Sequence, residues 1–117
     1  MNREQAETWG RRAENYAALW LQLKGYRILA RRLKTGFGEI DLVVRHGQNL
    51  VAVEVKARVT LDEARHMLTP RNLQRVKQAA GQLQPRFDQQ GHCSIRVDAV
   101  LIVPWHLPRH IINVLEC

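Results

Sequence analysis

The sequence predicts an α/β fold, in which one domain over residues 1–117 builds a mixed β-sheet flanked by helices. Residues 38–58 alternate apolar and polar side chains about a short turn, which is typical of a β-hairpin. Residues 3–24, and the segment that starts at Thr69, instead repeat apolar side chains at helical spacing. The β-branched run at 94–103 adds a buried strand. A chain of this length can bury one core but not two.

The elements follow in the order α-β-β-β-α-β-β. Residues 3–24 predict an amphipathic helix that ends at Gly25, since glycine is the usual helix terminator. Residues 26–33 predict the first strand, and a turn at 35–38 leads into the hairpin that supplies the second and third strands. A helix then joins the third strand to the fourth, so we expect those two strands to be parallel.

The second half of the chain is less regular. Residues 59–70 predict an irregular stretch with one short helical turn. Thr69 followed by proline is typical of a helix start, and this second helix runs towards Gly91, with Pro85 expected to stop or kink it. Residues 110–116 predict a last strand at an edge of the sheet.

The hairpin register follows from a turn centred on residues 47–48. In that register Asp41 lies opposite Glu54, and Glu39 lies opposite Lys56. Apolar side chains share the other face: Ile40, Leu42, Val44, Val51, Val53 and Val55. Alternation of this kind predicts one buried face, and a slip by one residue would expose the valines.

Two carboxylates, those of Asp41 and Glu54, are therefore predicted side by side. Charges of the same sign at that separation repel, so the pair needs a shared proton or a cation. We expect Mg²⁺ or Mn²⁺, which take hard oxygen ligands, with the Val55 carbonyl as a further ligand. Lys56 shares the face of Glu54 and can orient water or stabilise phosphoryl charge. The alternative is a salt-bridge cluster in which Lys56 neutralises both acids.

The net charge favours a polyanionic partner. Eighteen Lys and Arg residues against eleven Asp and Glu residues give +7. Such an excess suits a phosphate backbone, although solubility alone also accounts for a basic surface. The residues expected to contact nucleic acid are Arg31, Arg32, Lys34, Arg45, Arg58, Arg71, Arg75 and Lys77.

Other classes of protein fit the sequence less well. No apolar run approaches the ~20 residues that span a bilayer, and the polar N-terminus does not resemble a signal peptide. We therefore expect a cytoplasmic protein without membrane contact. Cys93 and Cys117 have no metal-ligand spacing. The five histidines are expected at the surface, and Trp105 is the one tryptophan that we consider for stacking on a base.

The motifs GEIDLVV at 38–44 and VAVEVKAR at 51–58 resemble those of the YraN-like family of small, uncharacterised bacterial proteins. That family is similar to the PD-(D/E)XK nucleases, near the archaeal Holliday-junction resolvases. The resemblance covers nearly the whole chain, including RVDAVLIVP at 96–104, and implies a restriction-endonuclease-like fold. Ala52 and Val97 stand where the family commonly has aromatic residues, which changes packing rather than chemistry.

The resemblance also implies roles for single residues. Asp41 takes the position of the metal-binding aspartate, Glu54 that of the second acidic ligand, and Lys56 that of the lysine two residues later. Glu14 matches a first-helix glutamate of resolvase-like members, which makes it a further candidate catalytic residue. The alternative for Glu14 is an ion pair with a nearby Lys or Arg. Asp98 is expected to accept a structural hydrogen bond or ion pair.

These observations support three functions. The leading hypothesis is a divalent-metal-dependent endonuclease that hydrolyses phosphodiester bonds in DNA, plausibly branched DNA, as the resolvase resemblance implies. A two-fold junction would suit a homodimer. The alternative is a non-catalytic nucleic-acid-binding module with a vestigial metal site, and the third is a protein-interaction domain.

Overall fold

A five-stranded mixed sheet separates two layers of helix in the computed structural model of the protein, which describes residues 2–116. The helices are α1 (Arg3–Leu23), α2 (Leu61–His66), α3 (Pro70–Ala80) and α4 (Leu83–Phe87). The strands are β1 (Arg27–Thr35), β2 (Gly38–His46), β3 (Asn49–Ala57), β4 (Ser94–Ile102) and β5 (Arg109–Ile111), and a 3₁₀ turn follows at Val114–Glu116. Cys117 lies outside the described residues.

Helix α1 confirms the predicted first helix. The Asn2 side chain accepts a hydrogen bond from the Gln5 amide (2.8 Å), and the Gln5 side chain accepts one from the Asn2 amide (3.0 Å). This capping box satisfies two amides that a helix start otherwise leaves unpaired. The buried face of α1 consists of Ala13, Ala17, Ala18 and Leu21. Because alanine is small, the helix axis can lie close to the sheet.

The sheet has the strand order β1-β2-β3-β4-β5 and confirms the predicted mixed topology. Strands β1, β2 and β3 form an antiparallel meander, β4 is parallel to β3, and β5 is antiparallel to β4. The segment that contains α2, α3 and α4 makes the crossover between β3 and β4, as a parallel pair requires. β5 lies at an edge, as expected.

The register between β2 and β3 is the predicted one over the half of the hairpin near its turn. The pairs are Leu42–Val53, Val43–Ala52, Val44–Val51, Arg45–Leu50 and His46–Asn49. Pairing stops at Leu42–Val53, although both strands continue beyond it. β2 stays paired with β1 as far as Gly38, and β3 stays paired with β4 as far as Ala57. The sheet therefore opens between β2 and β3 beside Asp41.

The expectation of a single buried face was wrong. One core cluster packs α1 against Leu42, Val44 and the β3 valines, and a second packs α3 and α4 against the opposite face. Val43 and Ala52, on the face predicted to be polar, are fully buried. Polar residues occur only towards the ends of that face, and α3 and α4 cover its centre. Ile40 also joins the second cluster, so the alternation breaks at Asp41.

The second helix is shorter than the sequence predicts, because three helices occupy the crossover. Thr60 and Thr69 each accept a hydrogen bond from a backbone amide and cap α2 and α3. α3 ends at Ala80, and Pro85 falls within the short helix α4. The expected break is therefore present, although it precedes Pro85 by several residues.

The last strand is also shorter than the predicted 110–116. β5 ends at Ile111, and the chain turns through Asn113, whose φ of +56° is incompatible with a strand. Among the residues that the structure describes, no helix has both the length and the apolar character to cross a membrane.

Candidate metal centre

The opening between β2 and β3 is occupied by the carboxylate of Asp41. Its Oδ2 accepts a hydrogen bond of 2.8 Å from the Val55 amide. This bond takes the place of a ladder bond between the two strands, so the side chain lies between them. The direct Asp41–Glu54 ladder pair is not formed, because the two strands have already separated at these positions. Glu54 is nevertheless close enough for its charge to raise the pKa of Asp41.

The environment of Asp41 favours its neutral form. Burial raises the pKa of Asp41 to about 7, and the nearby negative charges of Glu54 and Glu14 contribute to the rise. The hydrogen bond from Val55 and the positive charge of Lys56 oppose it without cancelling it. A carboxylate held in this way gains from a cation, because the cation removes the repulsion that burial intensifies.

Asp41→Asn is expected to stabilise the metal-free protein at pH 8 by up to about 4 kcal/mol, because burial raises the pKa of Asp41 from 3.8 to about 7. Asn keeps an oxygen that can accept from Val55 and carries no charge. Between about pH 4 and pH 7 the folded state holds a proton on Asp41 that the unfolded state has lost, so the wild type loses stability as the pH rises. Urea unfolding at pH 5 and pH 8 measures the effect. The gain should shrink at pH 5, and a variant less stable than the wild type at pH 8 would contradict the assignment.

Glu54 is buried with one oxygen satisfied and the other not. Only 4% of the residue is exposed, and its Oε1 lies 3.0 Å from the Lys56 ammonium. Its Oε2 is buried and has no hydrogen-bond partner among the described residues. A buried carboxylate oxygen without a partner is costly, so it is a strong acceptor for a cation or its water. The ion pair predicted as the alternative for Lys56 is present, but it involves Glu54 alone.

Glu14 reaches the edge of the same opening from α1. Its Oε1 lies 2.7 Å from the Arg32 guanidinium, so the ion pair predicted as the alternative for Glu14 is present. Arg32 has a φ of +49°, a conformation that non-glycine residues rarely adopt, in the middle of β1. The Glu14 charge still raises the pKa of Asp41. Glu14 therefore contributes to the field at the site while Arg32 holds its carboxylate.

The residues fit a metal held largely by water. Within residues 2–116, no three His, Cys, Asp or Glu side chains group closely enough to hold an ion. Mg²⁺ needs few protein ligands, since it keeps several of its waters. Asp41 and the Glu54 oxygen that has no partner among the described residues would supply two oxygen ligands, and the Val55 carbonyl is the third that the sequence suggests. The opening thus fits a hydrated Mg²⁺ or Mn²⁺ better than a metal ion that is coordinated entirely by protein ligands.

A groove of about 280 Å³ lies beside the site, although Asp41 and Glu54 are not among its lining residues. It runs between α1 and the end of β3 and is lined by Ala6, Trp9, Gly10, Ala13, Glu14 and residues 55–58. Lys56 and Arg58 provide positive charge along it. The groove therefore offers two cations to a negatively charged chain, and Lys56 connects it to Glu54.

Several predicted nucleic-acid contacts lie at this end of the sheet. Arg31 donates to Asn15 of α1 (2.6 Å), Arg32 pairs with Glu14, and Lys34 is exposed farther along β1. Arg58 lines the groove. Arg75 of α3 extends over the start of β2 and donates to backbone carbonyls there. These residues form a basic rim beside the acidic opening.

The remaining three predicted contacts lie elsewhere. Arg71 and Lys77 are on the exposed surface of α3. Arg45 is four residues beyond Asp41 along β2, about 13 Å at strand spacing, and its guanidinium bonds to the carbonyl of Gly47 in the hairpin turn. The structure therefore separates Arg45 from the carboxylates that it neighbours in sequence.

One cluster of polar side chains, around Asp98 and His110, was not predicted from the sequence. The expectation that all five histidines lie at the surface was wrong for His110, whose side chain is 2% exposed. Its Nε2 lies 2.7 Å from Asp98, and Lys24 donates to its Nδ1 (2.6 Å). Asp98 also accepts from two of the three guanidinium nitrogens of Arg96, Nε and Nη2, and from the Asn113 amide. This confirms the structural role expected of Asp98.

The strand position of His110, rather than its residue type, is the feature that could have indicated its contact with Asp98. His110 pairs with Val100 across β4 and β5, and Asp98 lies two residues from Val100 on the same strand face. Because the strand pairing joins segments that a proline-containing loop separates, spacing along the chain did not reveal it. Tyr26 completes the cluster by accepting from Arg96 (2.8 Å) and stacking on His46.

Comparison with known proteins identifies a protein family to which this chain is similar. The model of the uncharacterised protein family UPF0102 matches residues 13–102. A UPF0102 protein of Paramagnetospirillum magneticum is 50% identical over 91% of this chain and 85% of the relative. Another, from Parvibaculum lavamentivorans, is 53% identical over 87% of this chain and 77% of the relative. A third, from Sphingopyxis alaskensis, is 44% identical over 97% of both chains.

Proposed function

This chain belongs to the uncharacterised protein family UPF0102, and from its site we propose that it is a divalent-metal-dependent endonuclease that hydrolyses phosphodiester bonds in DNA. Family membership confirms the predicted relationship to the YraN-like proteins. One observation carries this proposal: among the described residues the buried Glu54 Oε2 has no hydrogen-bond partner, and Glu54 lies close enough to Asp41 for its charge to raise the pKa of that carboxyl.

Each side chain of the candidate metal centre would have its own role in phosphodiester hydrolysis. A bound Mg²⁺ would supply Lewis acidity towards the phosphoryl group and a water of lowered pKa. Asp41 and Glu54 would hold the ion, and Glu14 would add negative potential from α1. In the reaction a water oxygen bonds to phosphorus while the P–O ester bond breaks. Lys56, whose ammonium lies 3.0 Å from Glu54, is placed to orient that water or to stabilise charge on the phosphoryl oxygens.

The basic rim supports a polyanionic substrate. Arg31, Arg32, Lys34, Arg58 and Arg75 lie at the same end of the sheet as the carboxylates. Phosphate contacts of this kind give affinity and orientation without reading base sequence. We propose DNA as the substrate and the cytoplasm as the location, and a homodimer would suit a two-fold junction.

Cleavage assays test the proposal directly. Purified protein is incubated with Mg²⁺ or Mn²⁺ and with four-way, flap, single-stranded and fully paired DNA. We expect metal-dependent strand cleavage, with branched substrates cut fastest, and none in the presence of a chelator. An absence of cleavage on every substrate with either metal would contradict the proposal.

The non-catalytic alternative has its own support in the structure. Glu54 pairs with Lys56, and Glu14 pairs with Arg32, so both acids already have cationic partners. A binding module of this kind would hold DNA with a salt-dependent affinity that does not fall when Asp41 or Glu54 is neutralised. Measuring that affinity in both variants separates the two functions.

A further inference from the structure

The loop between β4 and β5 presents an unusual aromatic residue. Trp105 is fully exposed, at 101% of its reference area, and its φ is +67°. Exposure of a whole indole costs hydration free energy, and side chains other than glycine seldom adopt this backbone conformation. Both features point away from a role in folding. They suggest that the ring is held outward so that a ligand can bind against it.

The loop is built to keep Trp105 in place. Pro104 precedes it, and Pro108 is buried where the loop returns to the sheet. The His106 amide donates to the Val103 carbonyl (3.2 Å), and the His106 ring lies 2.8 Å from the Pro104 carbonyl. Prolines and local hydrogen bonds reduce the number of conformations that binding would have to select.

Trp105 forms one wall of a second groove, of about 450 Å³. Trp9 and Tyr16 of α1 and Leu107 of the loop line it as well. Three aromatic side chains thus line this groove, and none of the described residues that line it carries a carboxylate. Aromatic faces without charge are suited to stacking on planar rings.

The second groove adjoins the first one, which is lined by Glu14 and Lys56 of the candidate metal centre. Trp9 lines both grooves. The Arg58 amide donates to the Ile102 carbonyl (3.1 Å), so the loop starts next to the basic end of β3. A strand whose phosphate lay at Asp41 and Glu54 would therefore carry its neighbouring nucleotides past Lys56 and Arg58 towards Trp105.

We propose that Trp105 and the groove beside it form a stacking site for an unpaired nucleobase adjacent to the phosphate at the metal centre. The site rests on the proposed function and narrows its substrate. Base faces in a continuous duplex are covered by neighbouring pairs, so only single-stranded or branched nucleic acid can offer one to Trp105. The preferred substrate then has unpaired nucleotides next to the cleaved bond.

Two strands that differ only in their bases isolate this contact. One probe is a fluorescent oligothymidine, and the other is the same strand with its central bases replaced by abasic sites. Binding is measured by anisotropy without divalent metal, so that nothing is cleaved. The wild type should bind the base-bearing strand about 5- to 150-fold more tightly, the range expected for stacking on one aromatic residue.

Three variants provide the comparison. Trp105→Ala should bind both strands with the affinity of the wild type for the abasic strand, and Trp105→Phe should keep most of the difference. Leu23→Ala, which removes another exposed apolar side chain outside both grooves, should behave as the wild type. Circular dichroism and thermal melting confirm folding, and removal of a fully exposed ring should leave both unchanged.

The outcomes separate this site from the metal centre. If Trp105→Ala still distinguishes the two strands, or if the wild type does not, stacking is excluded while nucleic-acid binding stands. If no strand binds, both the stacking site and the proposed function fall. If Trp105→Ala instead converts a dimer to a monomer in sedimentation and leaves strand discrimination intact, the surface belongs to a second copy of the chain, and the stacking site is wrong.

Discussion

Replacing Glu54 by Gln is expected to lower the rate of metal-dependent DNA cleavage by at least about a hundredfold, and Asp41→Asn should do the same. Each change removes a charged ligand while keeping the size of the side chain. Glu54 is the more informative position, because its unpartnered Oε2 would lose its negative charge. Rates are measured on the fastest substrate of the wild type, at saturating Mg²⁺.

The matched control is Glu7→Gln, which makes the same chemical change on an exposed part of α1, where Glu7 pairs with Arg3. It should cut at the wild-type rate. Calorimetric titration with Mn²⁺ adds an independent readout, since the Glu54 and Asp41 variants should lose metal affinity as well as rate. Cleavage that survives both substitutions would show that a contaminating nuclease or another site is responsible.

The second large effect concerns stability and not chemistry. Asp98→Ala should lower the free energy of unfolding by about 3–5 kcal/mol, the usual cost of leaving a buried charge network without one partner. Asp98 is completely buried and accepts hydrogen bonds from Arg96, His110 and the Asn113 amide. Its removal leaves the Arg96 guanidinium and the His110 ring without their acceptor. The short strand β5 would keep its backbone pairing with β4 but lose the side-chain bond between His110 and Asp98.

Urea unfolding at pH 7 and at low pH tests this assignment. Burial tends to raise the pKa of Asp98, but the hydrogen bonds from His110, Arg96 and Asn113 outweigh it, and the pKa lies below its ordinary value. The folded state therefore favours the charged form, so the stabilisation is complete above about pH 4 and is lost as the pH falls further. Asp62→Ala, at an exposed position of α2, should cost less than about 1 kcal/mol. Equal losses in the two variants would refute the network's role.

Local patterns predicted much of the hairpin and of the sheet. The register from Leu42–Val53 to His46–Asn49 follows from the alternation and the short turn, and both are local. The parallel pairing of β4 follows from the crossover, which the sequence shows as a helical segment between two strands. Asp41, Glu54 and Lys56 could be identified as candidates because charged side chains close together on one strand face are unfavourable unless a partner compensates their charge.

The opening of the sheet could not be predicted in the same way. It depends on β2 staying with β1 while β3 follows β4, which is a balance among four strands. The ion pair of Glu14 with Arg32 joins a helix to a strained strand residue, and the Asp98–His110 bond joins two strands across a loop. Contacts of this kind carry no signature in spacing, because tertiary packing creates them.

Metal location by crystallography tests the central claim most directly. Crystals are soaked in Mn²⁺, and data are collected at the manganese absorption edge. We expect one anomalous peak between the carboxylates of Asp41 and Glu54, with Glu54 Oε2 among the ligands of the ion, and no such peak in Glu54→Gln crystals. Soaked crystals that show an intact Glu54–Lys56 pair and no ion at the opening of the sheet would contradict it.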